Sequence, residues 1–193
     1  TDHHRIPAEL PRAEAIVNPH RQDGELPFTD FAGVGVAFKL VGAVYGDVDD
    51  MLERYADLVA IGTIGDIMPL EDENRGFVKA GLRLINNDSR LGLAALKRVA
   101  GYGDKYVGSG DVAFSLCPRI NATGRIDNAM KAASLLLCDD RDDARFMAEQ
   151  LDVNNNHRRK LEERIEADVK AQLESRPELF GGRIIVVAGE GYH

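Results

Sequence analysis

Three places in the chain combine residue types that can do chemistry. The first is Thr1-Asp2-His3-His4, a carboxylate followed by two imidazoles. Consecutive side chains alternate faces in a strand, but at a strand end or in a loop they can converge on one cleft. An imidazole binds a transition metal through one nitrogen while a neighbouring carboxylate holds the proton of the other nitrogen and fixes the tautomer. Taken alone, paired histidines near a terminus are more often a polar surface or a tag. The second is Asp66, set in the glycine-spaced apolar segment Val59 to Leu70. A carboxylate there must be hydrogen-bonded, protonated or bound to a cation, and a helix cap is the ordinary alternative. Gly62 and Gly65 would let another backbone or a metal-bound phosphate approach. The third is Cys117-Pro118-Arg119-Ile120-Asn121-Ala122-Thr123-Gly124-Arg125. Two guanidinium groups, an amide and a hydroxyl around an expected turn can hold phosphate oxygens through directional donors. A salt-bridged helix cap before the run that follows Asp127 is the competing explanation.

The elements that must position these groups read as mostly helical. Phe31, Val34, Ala37, Phe38, Val41 and Val44 recur at three- and four-residue spacing, which predicts a helix over Asp30 to Tyr45. Another follows from about Asp49. Further helices are expected at Asn74 to Leu84, Leu91 to Val99, Gly110 to Leu116 and Asn128 to Leu137, between Asn-, Asp- and Gly-containing turns. From Arg141 to Ser175 there is neither proline nor glycine, and a discontinuous apolar stripe predicts one helix of roughly 50 Å. Its polar centre, Asn154 to Lys160, suits a connector docked toward its ends more than a coiled coil. Ile184 to Val187 is read as a buried strand opening a second domain.

The 193 residues suffice for one core, or for one domain and the approach to another. The composition, 44% hydrophobic and 29% charged, is that of an ordinary globular protein. No apolar run nears the roughly 20 residues that span a bilayer. The start carries no export signature, so a cytoplasmic setting without a membrane is expected. Cys117 and Cys138 lack neighbouring ligands at metal spacing and read as buried thiols. A net charge of -8 argues against a uniformly basic nucleic-acid binder, while leaving a local groove or recognition through cations open. The chain opens directly on the triplet and closes where a β-rich run has met a glycine turn, so both ends read as cut.

The opening Asp2-His3-His4, the segment Gly62 to Leu70, the run Pro118 to Arg125 and the closing Gly189-Glu190-Gly191-Tyr192-His193, with Asn18-Pro19 and Gly33 to Leu40 in order between them, resemble the single-stranded-DNA-specific exonucleases of the DHH phosphoesterase superfamily. The resemblance covers nearly the whole chain. It implies an α/β fold: the C-terminal, largely helical part of a DHH catalytic domain over 1–140, a connector helix over 141–177, and over 178–193 the first strand of a DHHA1-like second domain. It implies metal ligation by His3 and Asp66, orientation of the histidine pair by Asp2, and a place beside the scissile phosphate for His4. Arg119, Asn121, Arg125, Gly191 and His193 become the nucleic-acid-facing residues. Two Mn²⁺ or Mg²⁺ ions, hydrolysis of single-stranded DNA from 5′ to 3′, a role in repair and recombination with repair-machinery partners, and a monomeric state are implied with them.

Two departures qualify this. Gly65 stands where the family often has alanine, and the aspartate-rich motifs that precede Asp2 in the family have no counterpart here, so the chain by itself is expected to be inactive. Two other readings compete: a DHH phosphoesterase acting on short oligonucleotides or cyclic dinucleotides, and a replication adaptor that keeps the fold without the chemistry.

Overall fold

The computed structural model describes residues 1–21, 23–87, 90–126, 129–176, 178 and 181–192, with the side chains of 123, 125 and 126 left aside. Apart from a π-helical turn and 3-10 helical residues at 178 and 181, the regular structure among these residues is α-helical, in the order α1 (Gly33–Tyr45), α2 (Val48–Gly65), α3 (Asp72–Asn87), α4 (Leu91–Val99), α5 (Ser109–Asp111), α6 (Cys117–Ile126), α7 (Met130–Leu137) and α8 (Arg141–Ser175). The π-turn, Val112–Leu116, joins α5 to α6.

The α/β expectation is therefore corrected: no described residue lies in a strand. Ile184 to Val187 runs irregularly, with Ile184 and Val186 exposed. A strand exists only by pairing its N–H and C=O groups with a neighbour, and no second strand is present among the described residues to accept them. The run 118–125, expected as a turn, is instead inside α6. Pro118 is tolerated because the π-turn precedes it: Cys117 N–H bonds back five residues to Val112 O. That wider turn changes the hydrogen-bond register just where a proline ring would crowd the carbonyl four residues back and could not donate to it.

Helix α2 is the centre of the arrangement. It packs on α1, on α3 and on the π-turn, and small residues set the separations. A Cβ at Gly62 would stand 2.5 Å from Val34 Cγ1 on α1, and one at Gly81 of α3 would stand 2.2 Å from the Ala56 carbonyl oxygen of α2. Two apolar clusters result. One gathers Phe31, Val36, Phe38, Met51, Val59 and Phe77 between α1, α2 and α3, with Phe38 and Phe77 edge to face at 5.1 Å. The larger runs from Ala60, Ile61 and Ile64 through Leu93, Leu96, Leu116 and Leu135 to Ala144, Ala148 and Leu151 on α8.

Helix α8 is docked along its first half, against α4 and α6. Asp140 caps it, accepting from the N–H groups of Asp142 and Asp143. The polar centre is not wholly exposed as expected: Asn155 is 3% exposed, and its Oδ1 accepts from Arg158.

Candidate metal centre

The opening residues lie across the start of α1 as a loop held by hydrogen bonds. Asp2 N–H donates to Val17 O at 3.1 Å. Buried Asn18 donates from Nδ2 to His4 O at 2.9 Å, and its Oδ1 accepts from His20 N–H at 2.8 Å. One amide thus joins the triplet to the segment around Pro19. Asp2 Oδ1 lies 2.8 Å from His4 Nδ1. That hydrogen bond, followed by the carboxylate's charge, raises the pKa of His4, and the same contact lowers that of Asp2. Asp2 therefore orients the second histidine of the pair. The first turns the other way: His3 Cδ2 lies where a Cβ on Gly33 would meet it at 3.5 Å, so the ring is seated on the first residue of α1.

Asp66 reaches the same place from the far side. It is the C-cap of α2, and the chain leaves the helix through paired bonds from Ile67 N–H to Ile64 O and from Met68 N–H to Thr63 O, both at 3.1 Å. This is the Schellman arrangement, with the residue after the cap in the left-handed region. Here that residue is Ile67, at φ 57°. The helix stop, closed by backbone bonds, thus coincides with the residue that carries the carboxylate.

His3 Nε2 and Asp66 Oδ2 stand 3.4 Å apart although 63 positions separate them in the chain. With bonds of about 2.1 Å, two ligands at neighbouring positions of one divalent ion lie roughly 3.0–3.4 Å apart. A soft-to-borderline nitrogen and a hard oxygen are donors that a transition ion accepts together. The pair fits as part of a coordination sphere. No group of three or more potential ligands occurs among the described residues, so the remaining ligands are not supplied within them.

Asp66 also borders a groove of about 310 Å³ between α2 and α6, lined by Ile61, Gly62, Gly65, Cys117, Ile120 and Asn121. The groove is narrow at Gly65, where a Cβ would lie 3.1 Å from Cys117 Sγ. Asn121 is thereby brought to the same opening as Asp66. Arg119 is engaged elsewhere: its Nε donates to Asp152 on α8 and its Nη1 to the Ser115 carbonyl, at 2.8 and 2.7 Å. Gly191 lies apart, in a turn with φ 77° whose Tyr192 hydroxyl bonds Asp168 on the distal half of α8. The side chain of Arg125 and the whole of His193 lie outside the described residues. Asn18 and Gly33 are not singled out by chemistry, because an amide before proline and a glycine in a helical run carry no reactive group; only their contacts show what they support.

Histidine and aspartate from distant segments thus close on one point beside a groove that Asn121 also borders, an arrangement compatible with a share in holding one divalent cation. The profile of the DHH family, N-terminal domain, matches residues 1–63, and the chain belongs to that family. Within it the match is to RecJ. The chain is 39% identical over 193 residues to the single-stranded-DNA-specific exonuclease RecJ of Bacillus subtilis (strain 168), covering 100% of this chain and 24% of that protein. A crystal structure of exonuclease RecJ bound to manganese superposes with a TM-score of 0.75 at 38% identity, over 88% of this chain and 43% of that one. RecJ from Thermus thermophilus in complex with Mg²⁺ gives 0.65 at 40% identity, over 74% and 23%. The chain spans about a quarter to a third of the length of the curated relatives it matches. No described helix is long and apolar enough to cross a membrane.

Proposed function

We propose that this chain contributes part of the active centre of a metal-dependent exonuclease that hydrolyses single-stranded DNA from the 5′ end, in repair and recombination in the cytoplasm. The observation that carries the reading is the approach of His3 Nε2 to Asp66 Oδ2 at a spacing two ligands of one ion would share. The similar proteins add weight, two of them having been seen with Mn²⁺ or Mg²⁺ bound. His3 and Asp66 would hold one of two such ions; when bound, these ions supply Lewis-acid polarisation and an activated water.

The chain's own residues do the positioning. The His3 ring lies against Gly33, the end of α2 presents Asp66, and Asp2 fixes the His4 ring beside the place a phosphate would take. Asn121 at the groove mouth and Arg125 on the same helix are proposed to hold the strand's backbone, with Gly191 and His193 closing the substrate path. Arg119 contributes by bracing α6 against Asp152. The division into a catalytic part over 1–140, a connector over 141–177 and the opening of a further domain over 178–193 belongs to the same proposal.

The test is a Mn²⁺ titration of the complete protein and of its His3→Ala and Asp66→Ala variants, with single-turnover cleavage of a single-stranded oligonucleotide alongside. Both variants are expected to stay folded, to lose affinity for the ion and to lose turnover. A folded Asp66→Ala variant that cleaves at the parental rate overturns the assignment.

A further inference from the structure

Ile67 combines two features that do not belong together in a self-sufficient fold. Its φ of 57° puts it in the left-handed region, at the one position of a Schellman stop where glycine is the usual residue because a Cβ clashes with the carbonyl that follows. For a β-branched residue this is a genuine outlier. The residue is 89% exposed, so no packing in the described chain compensates for that strain.

The backbone around it is nevertheless firmly held. The two Schellman bonds fix its near side. Asn74, fully buried, donates from Nδ2 to both Pro69 O and Asp30 O, at 2.9 and 2.6 Å, and ties the loop to the segment that leads into α1. The surroundings impose the conformation, as they do where strained residues serve a site. Glycine would satisfy the same geometry without strain, so what isoleucine adds is an apolar surface, presented to solvent one residue from the Asp66 carboxylate.

We infer that Ile67 is a substrate-contacting residue: its side chain packs against the base of the nucleotide whose phosphate lies at the His3–Asp66 pair. The inference rests on the phosphodiesterase reading of that pair. An aliphatic group has nothing to offer a phosphate or a metal ion, whereas every nucleobase has an apolar face, and contact with that face is tolerant of sequence. The stiff, β-branched side chain has few rotamers to lose on contact, which favours it over a longer, flexible one.

The experiment uses the complete protein with Ile67→Gly and Ile67→Asn, both compatible with the left-handed backbone. It compares thermal midpoints, Mn²⁺ affinity, and the Kd for a noncleavable single-stranded oligonucleotide with or without a base at the nucleotide bound next to the ion. Both variants are expected to melt at or above the parental temperature and to bind Mn²⁺ as the parent does, while the intact oligonucleotide binds about 5-fold more weakly, the scale of one lost base contact. Removing the base should erase the difference between parent and variants. Unchanged oligonucleotide affinity in both variants, with Mn²⁺ bound normally, overturns this inference alone. A lower melting temperature with unchanged affinity overturns it in favour of packing against another part of the polypeptide. A parental protein that binds no Mn²⁺ overturns the underlying reading, and this one with it.

Discussion

Asp57 within α2 and Asp66 at its C-cap lie nine positions apart in opposite surroundings. Asp57 is 3% exposed at its side chain and is gripped by Arg90, Nε to Oδ2 at 2.6 Å and Nη2 to Oδ1 at 3.0 Å, while Arg90 also donates to the Arg54 carbonyl. Asp66 stands at the helix end, about half exposed, facing an imidazole instead of a guanidinium. The first charge is cancelled within the fold and ties α2 to the start of α4. The second has no permanent cation in its pair, and that is what suits it to a visiting one. Burial with a bidentate arginine marks a structural carboxylate, whereas the proposal made for Asp66 needs its exposure at the helix stop.

The comparison breaks most visibly at Asp57. Asp57→Ala should cost about 3 kcal/mol, the lower part of the range for orphaning one partner of a buried pair, since Arg90 keeps some access to water. Urea unfolding would measure it, and a loss below about 1 kcal/mol would show that the pair is not the anchor described. Asp66→Ala should leave that unfolding midpoint nearly unchanged yet lower turnover in the complete protein by at least about 100-fold, more than a residue that only orients a ligand.

A third change acts where α2 packs on α1. Gly62→Ala places a methyl group 2.5 Å from Val34 Cγ1 and should cost about 1–3 kcal/mol as overpacking. Because Val34 follows Gly33, the seat of His3, metal affinity should fall too. Val34→Ala in the same molecule should restore both, a double-mutant cycle that separates crowding from any other effect.

Lys97 gives a smaller effect with a definite sign. Burial lowers its pKa below the ordinary 10.5, and its ammonium reaches the Ile85 carbonyl at 3.1 Å near the end of α3. Between the lowered value and 10.5 the unfolded chain binds more protons than the folded one, so this lysine makes stability rise with pH across that window. Lys97→Met should abolish its share of the rise while changing neutral-pH stability by less than about 1 kcal/mol, since a buried charge is exchanged for apolar volume. Denaturant titrations at several alkaline pH values would show it. Cys117 should give the smallest response of all: its thiol, pushed up to about 11 by burial, should stay unalkylated in the native protein near pH 8 and react once denaturant is added.

Helices bounded by local signals are legible from residue order alone. Leu91–Val99 and Arg141–Ser175 can be read to their ends, because periodicity and flanking breakers are short-range information. Where a breaker is absorbed by its neighbours the reading fails: Pro118 and Gly124 signal a turn, and the π-turn before them lets α6 continue. The run from Ile184 has strand composition, but pairing is a property of two segments, and composition speaks for one. Nothing local links His3 with Asp66; their meeting is expected from the family resemblance, and the packing of α1 on α2 at Gly62 is what brings their segments together. Asn155 escapes because a polar run looks solvated unless one knows which side of a helix is covered.

Helix α8 has a mechanical consequence. Among the described residues its buried positions end at Asn155, leaving 20 residues, or roughly 30 Å at 1.5 Å per residue, as a cantilever within this chain. Pairs four residues apart, Arg158 with Glu162 and Glu166 with Lys170, stiffen it. A tilt of about 1° at the clamp of Asp152 and Arg119 moves the tip by roughly 0.5 Å over that length. Carried by a rigid helix, a small adjustment beside the groove would be magnified at the turn that Asp168 and Gln172 hold near the far end.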